Sequence, residues 1–539
     1  MKKCFLFICI LYSGFLIQAQ SQSVPRPKLV VGLMVDQMRW DFIYRYYDRY
    51  GSNGFKRLLQ QGFNCENTYI PYAQTVTAVG HSTVYTGSVP AFHGIMGNEW
   101  YDKKAGRNIY CTEDKTVEVV GGVSTSEPMS PKNMWASSIT DELKLATNFR
   151  SKTIGIALKD RGSILPAGHS ADAAYWYESA TGNWITSSYY MNSLPKWVNQ
   201  FNDKKLVNEY YKNDWNTLFP VSSYVQSDKD NSEFEGKFLH EAAPVFPHEL
   251  KSKIGKDFGI IRSTPFGNSF TLDFAKSALI EEKLGKDNIT DFLAVSLSSP
   301  DYIGHQFGPN SIEIEDTYLR LDKEIANFMA FLDKEVGVGE YLLFLTADHA
   351  VAHNPGYLKS NKIAAGSTSY SVTELNKKLE EKFNIKTGIS ATANYQIYLN
   401  DTDIEKSNID KTIVKQFIIK YLNDQPNILM AFDMEKIAEA NLTAEVKEMF
   451  LKGYNTKRAG DVQVILKPAF FNGGKTGTTH GSWYPYDSHI PLLWMGWGVK
   501  QGRSNKTYYM TDIAATLAAL LRIQEPNASI GKPITELMK

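Results

Sequence analysis

Four short segments of this chain are apolar on both faces, and each is followed at once by polar residues: 28–35 (KLVVGLMV), 153–158 (TIGIAL), 292–297 (FLAVSL) and 341–345 (YLLFL). A strand with one solvated face alternates polar and apolar residues. One that does not alternate must be covered from both sides, the usual condition of a parallel sheet. Between the last two segments Tyr318, Leu321, Ile325, Phe328 and Leu332 recur at helical spacing, and after the first Phe55, Leu58 and Leu59 share one face ahead of Gly62. Strands alternating with helices predict an α/β protein with a mostly parallel central sheet and helices on both faces. Two stretches break this rhythm. Residues 181–256 are rich in Asn, Asp, Lys, Tyr and Trp with weak periodicity, and residues 360–469 have helices and strands of their own. Both are expected as insertions that cap the sheet within a single domain spanning residues 24–539.

The N-terminus is a different kind of sequence. Lys2 and Lys3 precede an apolar run from Phe5 to about Ile17, followed by small and polar residues around Ala19, Gln20 and Ser21. Residues 1–20 therefore read as a secretory signal peptide, the run being shorter than the ~20 residues of a comfortable membrane span. No later segment looks membrane-spanning, so the expectation is a periplasmic or secreted protein with no stable membrane insertion after signal removal. Basic and acidic residues balance at 58 each. No basic excess points to nucleic acid or an acidic membrane surface, and a substrate anion would have to be attracted locally, by a few placed cations or metals. Cys65 and Cys111 remain beyond the signal. In an oxidising compartment they could pair, and spacing does not decide whether they do. Oligomeric state is likewise left open.

Five motifs carry the chemistry. Asp36 directly follows the first strand, where a carboxylate can ligate a metal or cap a helix. Thr75-Val76-Thr77-Ala78-Val79-Gly80-His81 clusters hydroxyls and small residues. A hydroxyl there can cap a helix, or act as a nucleophile if a metal lowers its pKa, with helix N–H groups holding an anion. Asp301 and His305, at i and i+4, lie on one face of a helical turn and could share a divalent metal. Asp348-His349 ends an apolar strand, where burial of both groups is costly without a partner. Far downstream, His480 stands between small residues in Gly477-Thr478-Thr479-His480-Gly481-Ser482. Three carboxylates and three imidazoles can furnish two adjacent sites of mixed oxygen and nitrogen ligands, a set that suits zinc.

Taken in this order, the motifs resemble the alkaline phosphatase superfamily, over nearly the whole chain from Lys28 onward. They resemble most its phosphate-irrepressible (PafA-type) branch. Gly94-Ile95-Met96-Gly97-Asn98 places Asn98 where that type has a phosphoryl-contacting asparagine, and Lys159-Asp160-Arg161 matches its Lys-x-Arg pair. The resemblance implies an alkaline phosphatase-like fold and two Zn2+ per chain, one held by Asp301, His305 and His480, the other by Asp36, Thr77, Asp348 and His349. It implies Thr77 as the nucleophile, passing through a phosphothreonine, with Asn98, Lys159 and Arg161 on the non-bridging oxygens, and small-molecule phosphate monoesters as substrates. Arg161 offers forked donors and Lys159 a point charge.

A phosphodiesterase or nucleotide pyrophosphatase on the same scaffold is the alternative. Lys159 and Arg161 separate the two, because a monoester presents one more anionic oxygen than a diester. Sulfatases, which need a Cys/Ser-x-Pro-x-Arg context, and the serine- and manganese-using phosphoglycerate mutases fit less well. Gly474-Lys475-Thr476 imitates a P-loop ending, but the leading glycine falls at Ala469. His81, His93, His169, His353 and His489 are expected to orient ligands or to pack.

Overall fold

The four apolar segments form the middle of one sheet. The protein is described by a computed structural model covering residues 24–539 apart from 124 and 369; the expected signal peptide lies outside the described residues. Its main strands are β1 (Leu29–Val35), β2 (Phe63–Tyr69), β3 (Thr153–Ala157), β4 (Ala173–Glu178), β5 (Asn183–Ser187), β6 (Asp291–Leu297), β7 (Tyr341–Thr346), β8 (Ile389–Ala393), β9 (Gln396–Leu399), β10 (Ile428–Asp433), β11 (Val462–Leu466), β12 (Leu492–Gly496) and β13 (Gly502–Tyr509). The large sheet runs β13-β2-β12-β7-β1-β6-β3-β4-β5. The five strands from β7 to β4 are parallel, whereas β12 and β5 join antiparallel. Every residue of β1, β3, β6 and β7 is buried, which is why their sequences do not alternate.

The apolar run of residues 490–495 is divided at Pro491. Its nitrogen carries no hydrogen to give the ladder, and the pieces His489–Ile490 and Leu492–Gly496 both pair antiparallel with β2. Helices flank the sheet, among them α1 (Thr77–Thr86), α2 (Asp160–Ala167), α3 (Phe266–Glu281), α4 (Ser299–Phe307), α5 (Ile312–Glu335) and α6 (Asp512–Leu521). The long α5 starts where the Ser311 side chain accepts from the Ile314 N–H, with Glu313 and Glu315 in its first turn, both favourable at a helix N-terminus. Its stripe of Tyr318, Leu321, Ile325, Phe328 and Leu332 is buried in the main core.

The expected insertion 181–256 begins inside the central sheet, with β5, and beyond it holds two helices of eight and six residues, Lys196–Asp203 and Leu206–Tyr211, with irregular chain and short 3-10 turns between and after them. The stretch is anchored by Trp197, Tyr211 and Trp215 in the main core, so its order comes from a few large aromatics and leaves no periodic trace. Residues 360–469 differ. Their four-stranded antiparallel sheet, β8-β9-β11-β10, has its own core of Leu375, Leu379, Ile397, Val414, Ile418 and Val462 among others. Cys65, in β2, and Cys111 are both buried free thiols, so the two are unpaired. No helix among the described residues is long and apolar enough to cross a membrane.

One buried ionic contact ties the 181–256 stretch to α5. His248 is fully buried, with Nδ1 3.1 Å from Glu241 and Nε2 3.1 Å from Glu313. Burial works against its charge, but the bonds to Glu241 and Glu313 outweigh it and raise its pKa to about 9. Because the folded-state pKa exceeds the unfolded one, this contribution is fully present below pH ~6.5 and is lost as pH rises through about 9. It is on the order of 3 kcal/mol at most. Thermal denaturation of wild type and His248→Gln across pH 7–10 should show a stability gap that narrows as pH rises; a gap independent of pH would mean that His248 is not charged in the fold.

Candidate active site

Each central strand delivers polar residues at its C-terminal end. β1 gives way directly to Asp36, and β7 to Asp348 and His349 two residues on. β6 leads into α4, where Pro300 in the first turn suits a position whose N–H would go unused. Asp301 and His305 follow one turn apart. β3 leads to Lys159 and, on α2, Arg161. The strands pair in register, with Val35 opposite Leu297, Met34 opposite Thr346 and Ala157 opposite Ser296. All four ends therefore lie at one level, where open α/β sheets place ligands.

Two further residues arrive from elsewhere. Thr77 is the first residue of α1, and α1 lies hard against the end of β7: a Cβ on Gly80 would come 2.2 Å from the Asp348 carbonyl oxygen. Glycine alone permits that approach. His480 comes from the loop ahead of β12, tied down by its Nδ1 at 2.7 Å from the Thr75 carbonyl.

Of the seven expected metal ligands, the six Asp and His residues converge as two sets of three, Asp301 with His305 and His480, and Asp36 with Asp348 and His349, the ligand atoms of each set lying within 4.8 Å of one another. In the first, Asp301 Oδ1 lies 3.2 Å from His305 Nε2 and 3.4 Å from His480 Nε2. In the second, His349 Nε2 lies 3.6 Å from Asp36 Oδ1 and 3.4 Å from Asp348 Oδ2. The sets adjoin, since the His349 and His480 rings stack at 3.6 Å.

This donor set fits divalent metal. Each imidazole turns its Nδ1 to a backbone carbonyl, His305 to Thr478, His349 to Ala350 and His480 to Thr75, which leaves every Nε2 facing the site, as metal-ligating histidines are commonly held. Asp36 Oδ1, Asp348 Oδ2 and His349 Nε2 are buried without a hydrogen-bond partner, a costly condition for protein groups alone. Burial lowers the His349 pKa to about 3 despite the pull of Asp348, so the ring is neutral and able to ligate. Burial disfavours the charge on Asp301, yet His305 and Lys159 more than offset it and keep its pKa well below the usual carboxylate range. Asp36 is pushed the other way, by burial and then by Asp348 and Asp301. Three carboxylates in so dry a space call for added positive charge.

Lys159 and Asn98 border these groups directly, and Arg161 follows Lys159 on α2. Lys159 is buried, with Nζ 2.6 Å from Asp36 Oδ2, 2.5 Å from Asp301 Oδ2 and 3.4 Å from Thr77 Oγ1. It thus touches one carboxylate of each set and the hydroxyl. Asn98 Oδ1 accepts from the Ala78 N–H at 2.9 Å, which orients the amide beside Thr77 and leaves its NH2 to donate. Arg161 Nη1 donates to the Tyr110 hydroxyl at 2.9 Å, and that hydroxyl donates to Asp160 Oδ1 at 3.0 Å.

Three participants have no sequence signal that would have assigned them their part. His81, expected to orient or pack, does so at a particular place: its Nδ1 lies 2.8 Å from the Thr77 carbonyl and 3.4 Å from Asp348 Oδ2, its Nε2 2.8 Å from Ser296 Oγ. Tyr110 orients Arg161 from a hairpin strand. Gln37 sits at φ +66, a left-handed conformation rare for a side chain of its kind. It joins the two sets, its N–H donating to Asp348 Oδ1 at 3.1 Å and its Nε2 to Asp301 Oδ1 at 2.7 Å.

Comparison with known proteins agrees with this geometry. The sequence profile of the type I phosphodiesterase / nucleotide pyrophosphatase family matches residues 30–487. Alkaline phosphatase PhoV of Synechococcus elongatus is 52% identical, across 96% of this chain and 94% of that one. A Myroides odoratus protein named calcium-transporting ATPase is 52% identical across 96% of both chains. The crystal structure of wild-type alkaline phosphatase PafA superposes with a TM-score of 0.95 at 49% identity, covering 96% of this chain and 100% of that one.

Gln37 supplies a test of the metal reading. Groups that orient ligands in this way typically cost ~10–100-fold in metal affinity when removed. Gln37→Met should release bound metal to a chromophoric chelator correspondingly faster than wild type; unchanged retention would show that the bridge between Asp301 and Asp348 orients nothing.

Proposed function

The chain belongs to the type I phosphodiesterase / nucleotide pyrophosphatase family and is a phosphomonoester hydrolase of the alkaline phosphatase kind; on that premise we propose that it acts outside the cytoplasm, by two-zinc catalysis through a phosphothreonine at Thr77. Asp301, His305 and His480 would hold one ion, and Asp36, Asp348, His349 and Thr77 the other. When bound, the ions supply Lewis acidity and a lowered pKa for hydroxyl and water. The observation that carries the reading is the position of Lys159 Nζ, 3.4 Å from Thr77 Oγ1 and touching a carboxylate from each ligand set. The hydroxyl and the two sets therefore share one small space.

The protein's own groups do the positioning that phosphoryl transfer mostly requires. Thr77 Oγ1 bonds to phosphorus as the phosphorus–oxygen bond to the alcohol breaks and the alcohol departs. Water then attacks the phosphothreonine, releasing inorganic phosphate and restoring Thr77. The Asn98 NH2, the Lys159 ammonium and the Arg161 guanidinium contact the non-bridging oxygens, and Tyr110 with Asp160 keeps the Arg161 fork turned. Location rests on the charged start and apolar run of residues 2–17.

One preparation tests both halves of the proposal. Mass analysis of protein exported by its host and quenched in acid during turnover should find phosphate on Thr77 and an N-terminus near residue 21. Thr77→Ala should be inactive; full activity in that variant would sink the nucleophile assignment, and an N-terminus at Met1 the export.

The choice between monoester and diester rests on Lys159 and Arg161. Removing a charge-assisted hydrogen bond from a desolvated site costs ~2–5 kcal/mol, roughly 30- to several-thousand-fold in rate. Lys159→Ala with Arg161→Ala should depress kcat/KM for an aryl phosphate monoester on that scale and spare the matched methyl aryl diester. Equal losses on both would mean that the pair supports fold or metals and not the extra anionic oxygen.

A further inference from the structure

The 360–469 insertion has its own core, and one hairpin packed on that core reaches the active site. β8 and β9 form a hairpin whose last pair is Ala393 with Gln396. The turn is therefore the two residues Asn394 and Tyr395, with φ of +53 and +59. Two-residue turns with both φ positive favour Asn at the first position and Gly at the second. Asn394 follows that rule and Tyr395 breaks it, for a bulky side chain is strained in the left-handed region.

The tip is docked from several directions. Asn394 Nδ2 donates to the Glu99 carbonyl at 2.9 Å, and a Cβ on Gly97 would fall 2.3 Å from that amide. Glycine at 97 thus lets the tip rest on the segment that carries Asn98. The Tyr395 carbonyl accepts from the Val464 N–H at 2.8 Å and from Gln463 Nε2 at 3.0 Å. Between tip and site lies a cavity of about 230 Å³ lined by Val76, Tyr370, Asn394, Tyr395, Thr479 and His480 among others. It touches both Val76, the residue before Thr77, and His480, a ligand of the set formed with Asp301 and His305. Apart from His480 no titrating acid or base lines it other than the two tyrosine hydroxyls; the walls are aromatic rings, amides and hydroxyls.

Such walls suit a neutral ring carrying hydroxyl groups, with an aromatic face for the ring and amide and hydroxyl partners for its polar edge. We propose that this cavity is the subsite for the alcohol half of the ester, that it takes hydroxylated ring alcohols (sugars and nucleosides), and that Tyr395 is its specificity-determining residue. The inference rests on the proposed function: with Thr77 assigned to the Asp36, Asp348 and His349 set, in-line displacement puts the departing alcohol opposite it, on the side of His480. It gives the insertion a function: the cap selects the alcohol while the sheet ends handle the phosphoryl group.

The turn itself provides a clean variant. Tyr395→Gly removes the ring and gives the turn its preferred residue, so its melting temperature should equal or exceed that of wild type. The ratio of kcat/KM for a nucleoside 5′-monophosphate to kcat/KM for methyl phosphate should fall by ~10-fold or more. The free nucleoside, as a competitive inhibitor of methyl phosphate hydrolysis by wild type, should weaken in parallel. Tyr395→Phe keeps the ring and should keep most of the ratio. An unchanged ratio in Tyr395→Gly, or equal loss in the Phe variant, would overturn the subsite. Failure of wild type to hydrolyse methyl phosphate at all would instead overturn the phosphoryl-site reading on which it rests.

Discussion

Three carboxylates, Asp36, Asp301 and Asp348, converge in a space from which water is largely excluded, and the surrounding fold is arranged around their mutual repulsion. In a medium of low dielectric like charges at this range cannot all persist unaided. The protein answers with Lys159 between two of them, with the His81 ring near the third and with the Gln37 amide across the pair. Even so, one oxygen of Asp36 and one of Asp348 find no partner in the protein. The same arrangement that is expensive for a bare fold is what a divalent ion requires, so the cost of the site and its chemistry have one origin.

Geometry is set from the backbone outward. The parallel register brings four strand ends to one level, and the three imidazoles and Asp348 are then locked by main-chain contacts, the imidazoles through Nδ1 to carbonyls and Asp348 Oδ1 through the N–H groups of Gln37 and His349, while Asp36 and Asp301 are held by the Lys159 and Gln37 side chains. Glycine at position 80 lets α1 close on the strand end and bring Thr77 into the group. Four of the six Asp and His ligands are thus fixed by the backbone, which suits a reaction in which orientation and charge placement dominate. The hairpin tip of the insertion extends the principle, since it docks on the Asn98 segment on one side and nears His480 on the other.

The sequence by itself determined the sheet and most of the site. Residues of β1, β3, β6 and β7 had to be apolar on both faces because they are covered on both, and that pattern survives in the sequence without any tertiary information. Asp36, Asp301, His305, Asp348 and His349 were legible because they stand just past those strands or at helical i, i+4 spacing, so local chain geometry already predicts where they face. Thr77 and His480 stood out as motifs whose roles stayed open, while Asn98, Lys159 and Arg161 were named by resemblance; Asn98 and Lys159 lie beside Thr77.

Tertiary structure alone decided the rest. Gln37 is an ordinary polar residue until its positive φ turns it between two ligands that lie 264 and 311 positions away in the chain. His81 and Tyr110 act only through partners brought near by packing. Cys65 and Cys111 are buried in the main core and unpaired, a matter on which spacing is silent. The 181–256 stretch is ordered by buried aromatics that follow no period, and Tyr395 sits in a turn that local preference would have given to glycine. Sequence pattern records what a residue must be when its own strand or helix fixes its surroundings; where the surroundings come from distant chain, the constraint belongs to the contact and leaves no local mark.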